Sequence, residues 1–335
     1  MTEPTPSSEA LDVVGIGNAL VDVLSHEDDD FLLANDLVKG SMALIDTDRA
    51  EALYGVMGVG IEASGGSAAN TIAGIASFGG RAAYIGRVFD DQLGAVFAHD
   101  LRAAGAVYRS TPAKDGPPTG RCLIVVTPDA ERTMSTYLGA SELLSPEHID
   151  AELIAAAQIT YLEGYLFDQT PAQEAYWKAS QTAHDAGRRV SLTLSDTFCV
   201  LRHRDAWREL VSGQVDLLFA NEDEVKALYD VDSFDEAFAA ARSDVEVVAV
   251  TRGAAGSVIA RGDEVVAVAA EPVAQVVDTT GAGDLFAAGF LVGVTRDRSL
   301  EDCGRLGALA AAEVIGHTGP RPAVSLAELA RPLLG

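Results

Sequence analysis

The segment Asp278-Thr279-Thr280-Gly281-Ala282-Gly283-Asp284 is a glycine-rich heptad followed directly by the apolar segment 285–294. Glycines at positions 281 and 283 allow the backbone to approach a ligand closely. The first turn of the predicted helix leaves backbone N–H groups without partners, and the helix dipole adds partial positive charge there. The heptad therefore predicts an anion site at a helix N-terminus. An ordinary strand-to-helix turn, in which Asp284 only complements the dipole, is the alternative.

Asp284 ends the turn, where a carboxylate would lie beside a bound phosphoryl group. A carboxylate in that position can orient a substrate hydroxyl and take its proton while the phosphoryl group moves. The heptad therefore indicates the phosphate end of a kinase site.

Composition narrows the classes of partner. The chain has 335 residues, 48% of them apolar, which suffices for one large domain or two smaller ones. Lys and Arg number 24 against 50 Asp and Glu, so the formal charge of −26 would repel nucleic acid and anionic membranes. No apolar run reaches the roughly 20 residues of a membrane span, and no signal peptide is visible. An anionic cofactor must therefore be attracted by helix N-termini, a divalent cation and a few arginines.

Cysteine and histidine spacing argues against disulfides and catalytic transition metals. Cys122, Cys199 and Cys303 are far apart, and the six histidines show no H-x-H or H-E-x-x-H spacing. A reducing, cytoplasmic location fits these cysteines best.

Apolar β-type runs alternate with alanine-rich amphipathic segments, the pattern of a mostly parallel sheet covered by helices. We predict core strands at 12–17, 82–86, 159–163, 189–193, 217–220, 247–251 and 257–261. We predict helices at 68–78, 92–104, 146–157, 171–186, 205–212, 222–228, 233–241, 284–294 and 300–315. The sequence thus predicts an α/β fold.

Two regions break this alternation. Segments 21–24 with 41–46, and 121–127 with 133–138, are short alternating strands that look like antiparallel hairpins without a helix between their strands. The second hairpin would turn at 128–131. No linker divides the chain. We therefore expect one domain over 1–335, with insertions at about 18–48 and 119–140 forming a small lid.

Polar residues near the first strand suit a hydroxyl-bearing ligand. Asn18 and Asp22 follow that strand, and a carboxylate can accept hydrogen bonds from two vicinal hydroxyls of a sugar. Gly65 and Gly66 let the backbone approach a ligand before an alanine-rich helix, where Asn70 can bind hydroxyls. Turn capping and a simple glycine turn are the alternatives. A dinucleotide-binding fingerprint is discarded, because position 20 is Leu and no helix follows the first strand.

Two later turns suit a bound nucleotide. Asn221 and Glu224 lie three residues apart on the first turn of a helix, where an amide can contact phosphate and a carboxylate can hold Mg²⁺ through water. A capping box is a compatible explanation. Thr251, Gly253 and Gly256 form a turn whose backbone and hydroxyl can line a nucleotide, although a simple hairpin turn explains it equally well.

In their order and spacing, these segments resemble the ribokinase-like (PfkB) family of carbohydrate and nucleoside kinases. Residues 65–94 match its N-terminal signature and residues 278–284 its C-terminal one, with the N-x-x-E and T-x-G-x-x-G segments between them in the family's order. The resemblance spans nearly the whole chain. It implies a three-layer αβα sandwich with a mostly parallel central sheet and a small antiparallel β lid, and an ATP-dependent kinase that uses Mg²⁺.

The resemblance also implies roles for individual residues. Asp284 becomes the catalytic base facing the acceptor, Gly281, Ala282 and Gly283 become the anion hole, and Arg132 would swing over the transferring phosphate. The other implied roles are ATP binding by Asn221, Thr251, Gly253 and Gly256, acceptor binding by Asn18, Asp22, Gly65, Gly66 and Asn70, water-mediated Mg²⁺ binding by Glu224, and K⁺ binding by Asp278, Thr280 and the loop 316–319.

Several motifs resemble the members of the family that phosphorylate adenosine more than those that phosphorylate ribose. They are the segments 17–22, 65–71, 133–140 and 319–322. The resemblance therefore implies transfer from ATP to the 5′-hydroxyl of a purine nucleoside, adenosine foremost. A sugar kinase acting on ribose, fructose or a related sugar is the alternative. A non-catalytic nucleoside- or sugar-binding protein is more remote, as is an oxidoreductase.

A nucleoside base needs an apolar or aromatic slot. The candidates are Leu44, Tyr137 and Leu138 on the lid side, with Tyr165 and Phe167 after the strand at 159–163. A place in the core is the alternative for each aromatic residue. The lid face suits either a monomer or a homodimer joined through the lid.

Overall fold

A computed structural model describes residues 10–129 and 131–334. Within these residues the strands are β1 (Leu11–Ile16), β2 (Leu20–His26), β3 (Met42–Leu44), β4 (Ile61–Gly65), β5 (Ala82–Ile85), β6 (Val107–Tyr108), β7 (Thr119–Val126), β8 (Arg132–Gly139), β9 (Ala157–Glu163), β10 (Arg189–Thr193), β11 (Leu217–Asn221), β12 (Val247–Thr251), β13 (Ser257–Arg261) and β14 (Glu264–Val268).

The helices of the same residues are α1 (Asp29–Ala34), α2 (Thr47–Tyr54), α3 (Ser67–Ser77), α4 (Gln92–Ala103), α5 (Ala151–Ala156), α6 (Thr170–Asp185), α7 (Thr197–Arg202), α8 (Arg204–Gln214), α9 (Glu222–Tyr229), α10 (Phe234–Asp244), α11 (Ala282–Thr295), α12 (Leu300–Val314), α13 (Leu326–Leu329) and α14 (Arg331–Leu334). Short 3₁₀ helices occur at Ala140–Leu143, Pro146–His148, Gly164–Asp168 and Gly253–Ala255.

The large sheet has the order β14-β13-β12-β11-β10-β9-β1-β5-β6. Its strands from β12 to β6 are parallel, and β13 and β14 extend one edge in antiparallel fashion. All seven predicted core strands belong to this sheet, which confirms the mostly parallel α/β fold. The two outermost strands, β6 and β14, were not predicted from the sequence.

Successive residues of the central strands, most regularly in β11 and β12, enter two separate cores, one on each face of the large sheet. Val13 and Ile159 pack into the core that contains α3, α11 and α12. Val14 and Leu162 point the other way, into the core that contains α6, α8 and α9. This period of two is the geometry of a pleated strand buried on both faces. The fold is therefore the predicted three-layer αβα sandwich.

Helix α11 is buried almost all round and packs between α3 and α12. A Cβ atom added to Gly289 would overlap the backbone of Leu306 on α12, and one added to Gly74 of α3 would lie 2.7 Å from Leu285. Small residues thus let three helices approach closely. This packing fixes the first turn of α11 next to the first turn of α3.

The small sheet has the order β3-β8-β7-β2-β4. The antiparallel pair β7–β8 confirms the second predicted hairpin, although Ala130 in its turn lies outside the described residues. The first predicted hairpin is wrong: β2 pairs with β7 in parallel and with β4 in antiparallel fashion, whereas β3 pairs with β8. Helix α1 separates β2 from β3, so the short turn that a hairpin requires is missing. The sheet is therefore mixed rather than purely antiparallel, and it includes β4, beyond the predicted insertions.

The predicted helix at 146–157 is also interrupted. Its first residues form a 3₁₀ turn, and Asp150 then caps α5 by accepting hydrogen bonds from the N–H groups of Glu152 and Leu153. Ala157 already belongs to β9. None of the helices in the described part of the chain is long and apolar enough to cross a bilayer.

Candidate active site

A cavity of about 540 Å³ lies between the carboxyl ends of the large-sheet strands and the small sheet. Its volume falls within the range of about 300–1,000 Å³ typical of small-molecule sites. The predicted site residues that line it are Asn18, Asp22, Gly66, Asn70, Asn221, Glu224, Thr251, Thr280, Gly281, Gly283 and Asp284. The others, which lie outside this lining, are Gly65, Arg132, Gly253, Gly256, Asp278 and Ala282.

Asp284 is the third residue of α11 and is held by two side chains of α3. Ser67 donates from Oγ to Oδ1 of Asp284 at 2.6 Å, and Asn70 donates from Nδ2 to Oδ2 at 3.0 Å. Burial raises the pKa of Asp284 to about 6, while these two hydrogen bonds and the charge of Arg321 act to lower it. The carboxylate is therefore fixed in direction and ionised at neutral pH.

The first turn of α11 offers free backbone donors beside Asp284. Gly281 is the N-cap with φ of 81°, a conformation that favours glycine, and no side chain caps the helix. A Cβ atom at Gly281 would lie 2.8 Å from Pro320. The N–H groups of Gly283 and Asp284 have no hydrogen-bond acceptor among the described residues, whereas that of Ala282 bonds to the Thr279 carbonyl. This corner suits an anion.

Asp22 also lines the cavity, and burial raises its pKa to about 6. Arg321 counters this increase for both Asp22 and Asp284, so its guanidinium balances two carboxylates. It also donates from Nε to Oδ1 of Asn70 at 3.4 Å. The position of the Asp22 carboxylate also accounts for a glycine at position 65, because a Cβ atom there would overlap that carboxylate.

Asn18 is buried and its side-chain amide bonds within the protein. It donates to Oε1 of Glu163 at 2.9 Å and accepts a hydrogen bond from Oγ of Ser141 at 2.8 Å. A contact with the acceptor stays a prediction for Asn18. In the structure, the Asn18 side chain connects its own segment to those of Glu163 and Ser141.

At the other end of the cavity, Asn221 and Glu224 form the capping box of α9. Oε2 of Glu224 accepts from the Asn221 N–H at 2.9 Å, and Oε1 accepts from its Nδ2 at 2.7 Å. Burial and the charge of the neighbouring Asp196 raise the pKa of Glu224 to about 7, against the hydrogen bond from the Asn221 N–H, which acts to lower it. Glu224 and Asp196 both line the cavity and suit a divalent cation, which Glu224 would hold through water.

Of the three residues predicted in the turn after β12, Thr251 lines the cavity, whereas Gly253 and Gly256 do not. Gly253 and Gly256 have φ values of 56° and 85° in the antiparallel connection between β12 and β13. A Cβ atom at Gly256 would overlap the Val268 carbonyl of β14. Turn geometry and strand packing account for both glycines, and their contact with ATP stays a prediction.

Arg132 is ion-paired with Asp278 in a largely buried contact. Its Nη1 lies 2.8 Å from Oδ2 of Asp278, and the two side chains are 10% and 6% exposed. The Asp278 carboxylate also accepts the N–H groups of Thr280 and Gly319. Because a guanidinium already occupies this carboxylate, the site as it stands does not fit the K⁺ ion expected at Asp278 and Thr280.

The sequence profile of pfkB family carbohydrate kinases matches residues 61–326, which is well over half of the chain. The chain belongs to the pfkB family. Membership implies ATP as the phosphoryl donor and typically Mg²⁺.

Two solved structures are similar to this pfkB kinase over nearly its whole length. A probable sugar kinase protein from Rhizobium etli CFN 42 is 51% identical, with a TM-score of 0.90 and coverage of 97% of this chain and 98% of that one. The adenosine kinase from Sinorhizobium meliloti is 53% identical, with a TM-score of 0.89 and coverage of 96% and 99%. The adenosine kinase of Saccharomyces cerevisiae is 27% identical over 92% of this chain and 96% of its own.

One wall of the cavity in this pfkB kinase is apolar. Leu44 and Leu138 of the small sheet line it, as predicted, and Tyr165 and the 75% exposed Phe198 face it from the large-domain side. Tyr137 and Phe167 lie outside the cavity lining. Tyr137 bonds to Thr47, and Phe167 stacks on Trp207 in the core with ring centroids 3.9 Å apart.

Four residues of the site were not predicted from the sequence: Ser67, Glu163, Phe198 and Arg321. Ser67 and Arg321 lie in motifs that resemble those of the family, but their contacts with Asp284 and Asn70 join distant segments of the chain. Glu163 could have been predicted, because it is an acidic residue at the carboxyl end of a predicted strand, and ligand sites lie at the carboxyl ends of parallel strands. Phe198 lies in a stretch where no element was predicted, so no pattern singled it out.

Proposed function

We propose that this pfkB kinase transfers the γ-phosphoryl group of ATP to the 5′-hydroxyl of a purine nucleoside, adenosine foremost. One observation carries the proposal: Asp284 is held by Ser67 and Asn70 at a helix N-terminus where the N–H groups of Gly283 and Asp284 have no acceptor among the described residues. A base for an alcohol and donors for a phosphoryl group therefore meet within one helical turn.

Asp284 orients the incoming hydroxyl and accepts its proton as the bond to phosphorus forms. The free N–H groups of Gly283 and Asp284 stabilise charge on the transferring group, and the α11 dipole adds to them. Bound Mg²⁺ would neutralise phosphate charge. Glu224 would hold this ion through water, and the described residues contain no cluster of three or more acidic, cysteine or histidine side chains suited to hold a metal directly.

The acceptor site has a polar half and an apolar half. Asp22 makes no hydrogen bond with another described side chain, so its oxygens are available for the vicinal hydroxyls of a ribose. The wall formed by Leu44, Leu138, Tyr165 and Phe198 gives a flat base apolar and aromatic surface. A free sugar would leave that wall uncovered. The 53% identity to the adenosine kinase from Sinorhizobium meliloti supports the same acceptor class.

A sugar kinase is the second candidate, because the protein from Rhizobium etli named a probable sugar kinase is 51% identical. Initial rates of ADP release with adenosine, inosine, guanosine, ribose and fructose, each with ATP and Mg²⁺, separate the two. We expect adenosine to give the highest kcat/KM. A higher kcat/KM for ribose or fructose would overturn the nucleoside proposal, and no ADP release with any acceptor would support a binding protein.

Substitution of Asp284 tests the chemistry. Asp284→Asn keeps the shape of the side chain and its contact with Ser67 but cannot accept the proton, and we expect kcat to fall by about 10²–10⁴-fold. The variant should still bind adenosine, as measured by calorimetry. Turnover within about tenfold of the parent would show that Asp284 is not the base.

We infer that the small sheet closes over the bound acceptor and that Arg132 then leaves Asp278 for the transferring phosphate. Arg132 begins β8, so a movement of the small sheet would displace it directly. Closure would exclude water and limit wasteful hydrolysis of ATP.

A further inference from the structure

Glu163 is a buried carboxylate to which the proposed reaction assigns no role. It ends β9, is 1% exposed and borders the cavity. Oε1 accepts hydrogen bonds from the backbone N–H of Asn18 at 3.1 Å and from its Nδ2 at 2.9 Å, and Oε2 accepts from the N–H of Ala68 at 2.8 Å. No lysine, arginine or histidine of the described ranges forms an ion pair with it. An acid buried without a cation needs a reason.

The reason lies at the start of α3. This helix begins after Gly66, whose φ is 97° and which has no side chain to cap the helix. A Cβ atom at position 66 would overlap the Asn18 carbonyl, so the usual Ser, Thr, Asp or Asn cap is sterically excluded. Glu163 supplies the missing acceptor from 95 residues away. Burial raises the pKa of Glu163 to about 7, the hydrogen bonds from Ala68 and Asn18 act to lower it, and the ionised form complements the α3 dipole.

The same helical turn carries both side chains that hold the catalytic base. Ser67 precedes Ala68 and bonds to one oxygen of Asp284, and Asn70 bonds to the other. The bonds from Asn18 to Glu163 anchor that carboxylate to the segment between β1 and β2, and Ser141 fixes the Asn18 amide in turn. A displacement of the first turn of α3 would therefore move both partners of Asp284 together.

We propose that Glu163 is a positioning residue: from the end of β9 it caps α3 and so holds Ser67 and Asn70 against Asp284. This inference rests on the proposed kinase function. A misplacement of about 1 Å in a positioning group can cost about 10²-fold in rate. Glu163 therefore acts on the rate of phosphoryl transfer without touching the substrate.

Glu163→Gln is the test, because it keeps the volume but turns an NH₂ group toward either Asn18 or Ala68, both of which are donors there. We expect kcat with adenosine to fall by about 10–100-fold while the KM for ATP stays near the parent value. Amide hydrogen exchange in 66–72, followed by mass spectrometry, should become faster. In Ser67→Ala, the added Glu163→Gln substitution should cost less than it does alone, because one link to Asp284 is already lost.

Asp216→Asn is the matched control. Asp216 also accepts a backbone N–H, that of Val190 at 2.7 Å, but at the opposite end of the sheet. It should lower the melting temperature while kcat stays at the parent value. An unchanged kcat in Glu163→Gln, or an equal loss of kcat in Asp216→Asn, would overturn the positioning role. If the parent protein phosphorylates no acceptor, the proposed function fails, and unchanged exchange in 66–72 would then reject the cap independently.

Discussion

The hydrogen bond from Ser67 to Asp284 lowers the pKa of the proposed base against the effect of burial. Its length of 2.6 Å and its partly buried position make it a strong bond to a carboxylate. A hydrogen bond to a charged group contributes about 1.5–3 kcal/mol, and one pKa unit corresponds to about 1.4 kcal/mol. Ser67→Ala should therefore raise the pKa of Asp284 by about one unit or more, from about 6 toward about 7.

The sign of this shift follows from which form is stabilised. Ser67 donates to the ionised carboxylate, so its removal favours the protonated form, which cannot accept a proton from the substrate. At pH 6 the ionised fraction falls from about one half to about one tenth, a loss of about fivefold, whereas at pH 8 it barely changes. Any additional loss that is equal at all pH values reports misorientation of Asp284.

The assay is kcat/KM for adenosine at saturating ATP between pH 5 and 9, since this parameter reports the ionisation of the free enzyme. Thr71→Val is the control: Thr71 donates to the backbone carbonyl of Asp284 at 3.1 Å, so its loss leaves the carboxylate contacts intact. The acidic limb should move toward higher pH in Ser67→Ala and stay in place in Thr71→Val. A limb that stays in place or moves to lower pH in Ser67→Ala would refute the assignment of Asp284 as the titrating base.

Two further predictions concern the charges at the two ends of the site. Arg132→Ala should lower kcat by about 100-fold, because the variant loses the guanidinium that we infer moves to the transferring phosphate, and Arg132→Lys should lower kcat less, because it keeps the charge. An unchanged kcat in Arg132→Ala would contradict this role. Burial raises the pKa of Glu224 from 4.5 to about 7, so its ionisation costs the folded state stability as the pH rises through that window. The free energy of unfolding of Glu224→Gln should therefore increase relative to that of the parent by up to about 3 kcal/mol between pH 4.5 and 7, as measured by urea titration at each pH. A difference between the two proteins that does not change with pH would contradict the cost of burying the ionised carboxylate.

Local patterns were sufficient to predict the large sheet. Runs such as 247–251 are apolar, bounded by turns and buried on both faces, so their period and length define a strand without tertiary information. The heptad at 278–284 likewise specifies its own geometry, because φ of 81° at Gly281 and the helix start are local properties. The position of Asp284 in the first turn of α11 could therefore be predicted from the sequence.

Pairing between distant segments could not be predicted in this way. Strand β2 satisfies its backbone with β7 and β4 instead of with the next strand along the chain, and only the packed structure selects these partners. Arg132 was expected over the phosphate from its place in a turn, whereas its partner Asp278 is 146 positions away. The cap that Glu163 provides to α3 could not be predicted locally. The sequence around α3 shows only that Gly66 has no side chain with which to cap the helix.

The strongly acidic composition and the binding of an anionic donor are compatible because charge acts over different distances. At an ionic strength of 0.15 M, exposed charges are largely screened beyond about 8 Å, so most of the formal charge of −26 has little effect inside the cavity. The free N–H groups of Gly283 and Asp284 would contact a phosphate directly, where screening is weakest. Arg321 offsets the two nearest carboxylates, Asp22 and Asp284, within the same site. The positive potential that ATP needs is thus built from backbone and one buried arginine, and for this reason no lysine was required in the heptad.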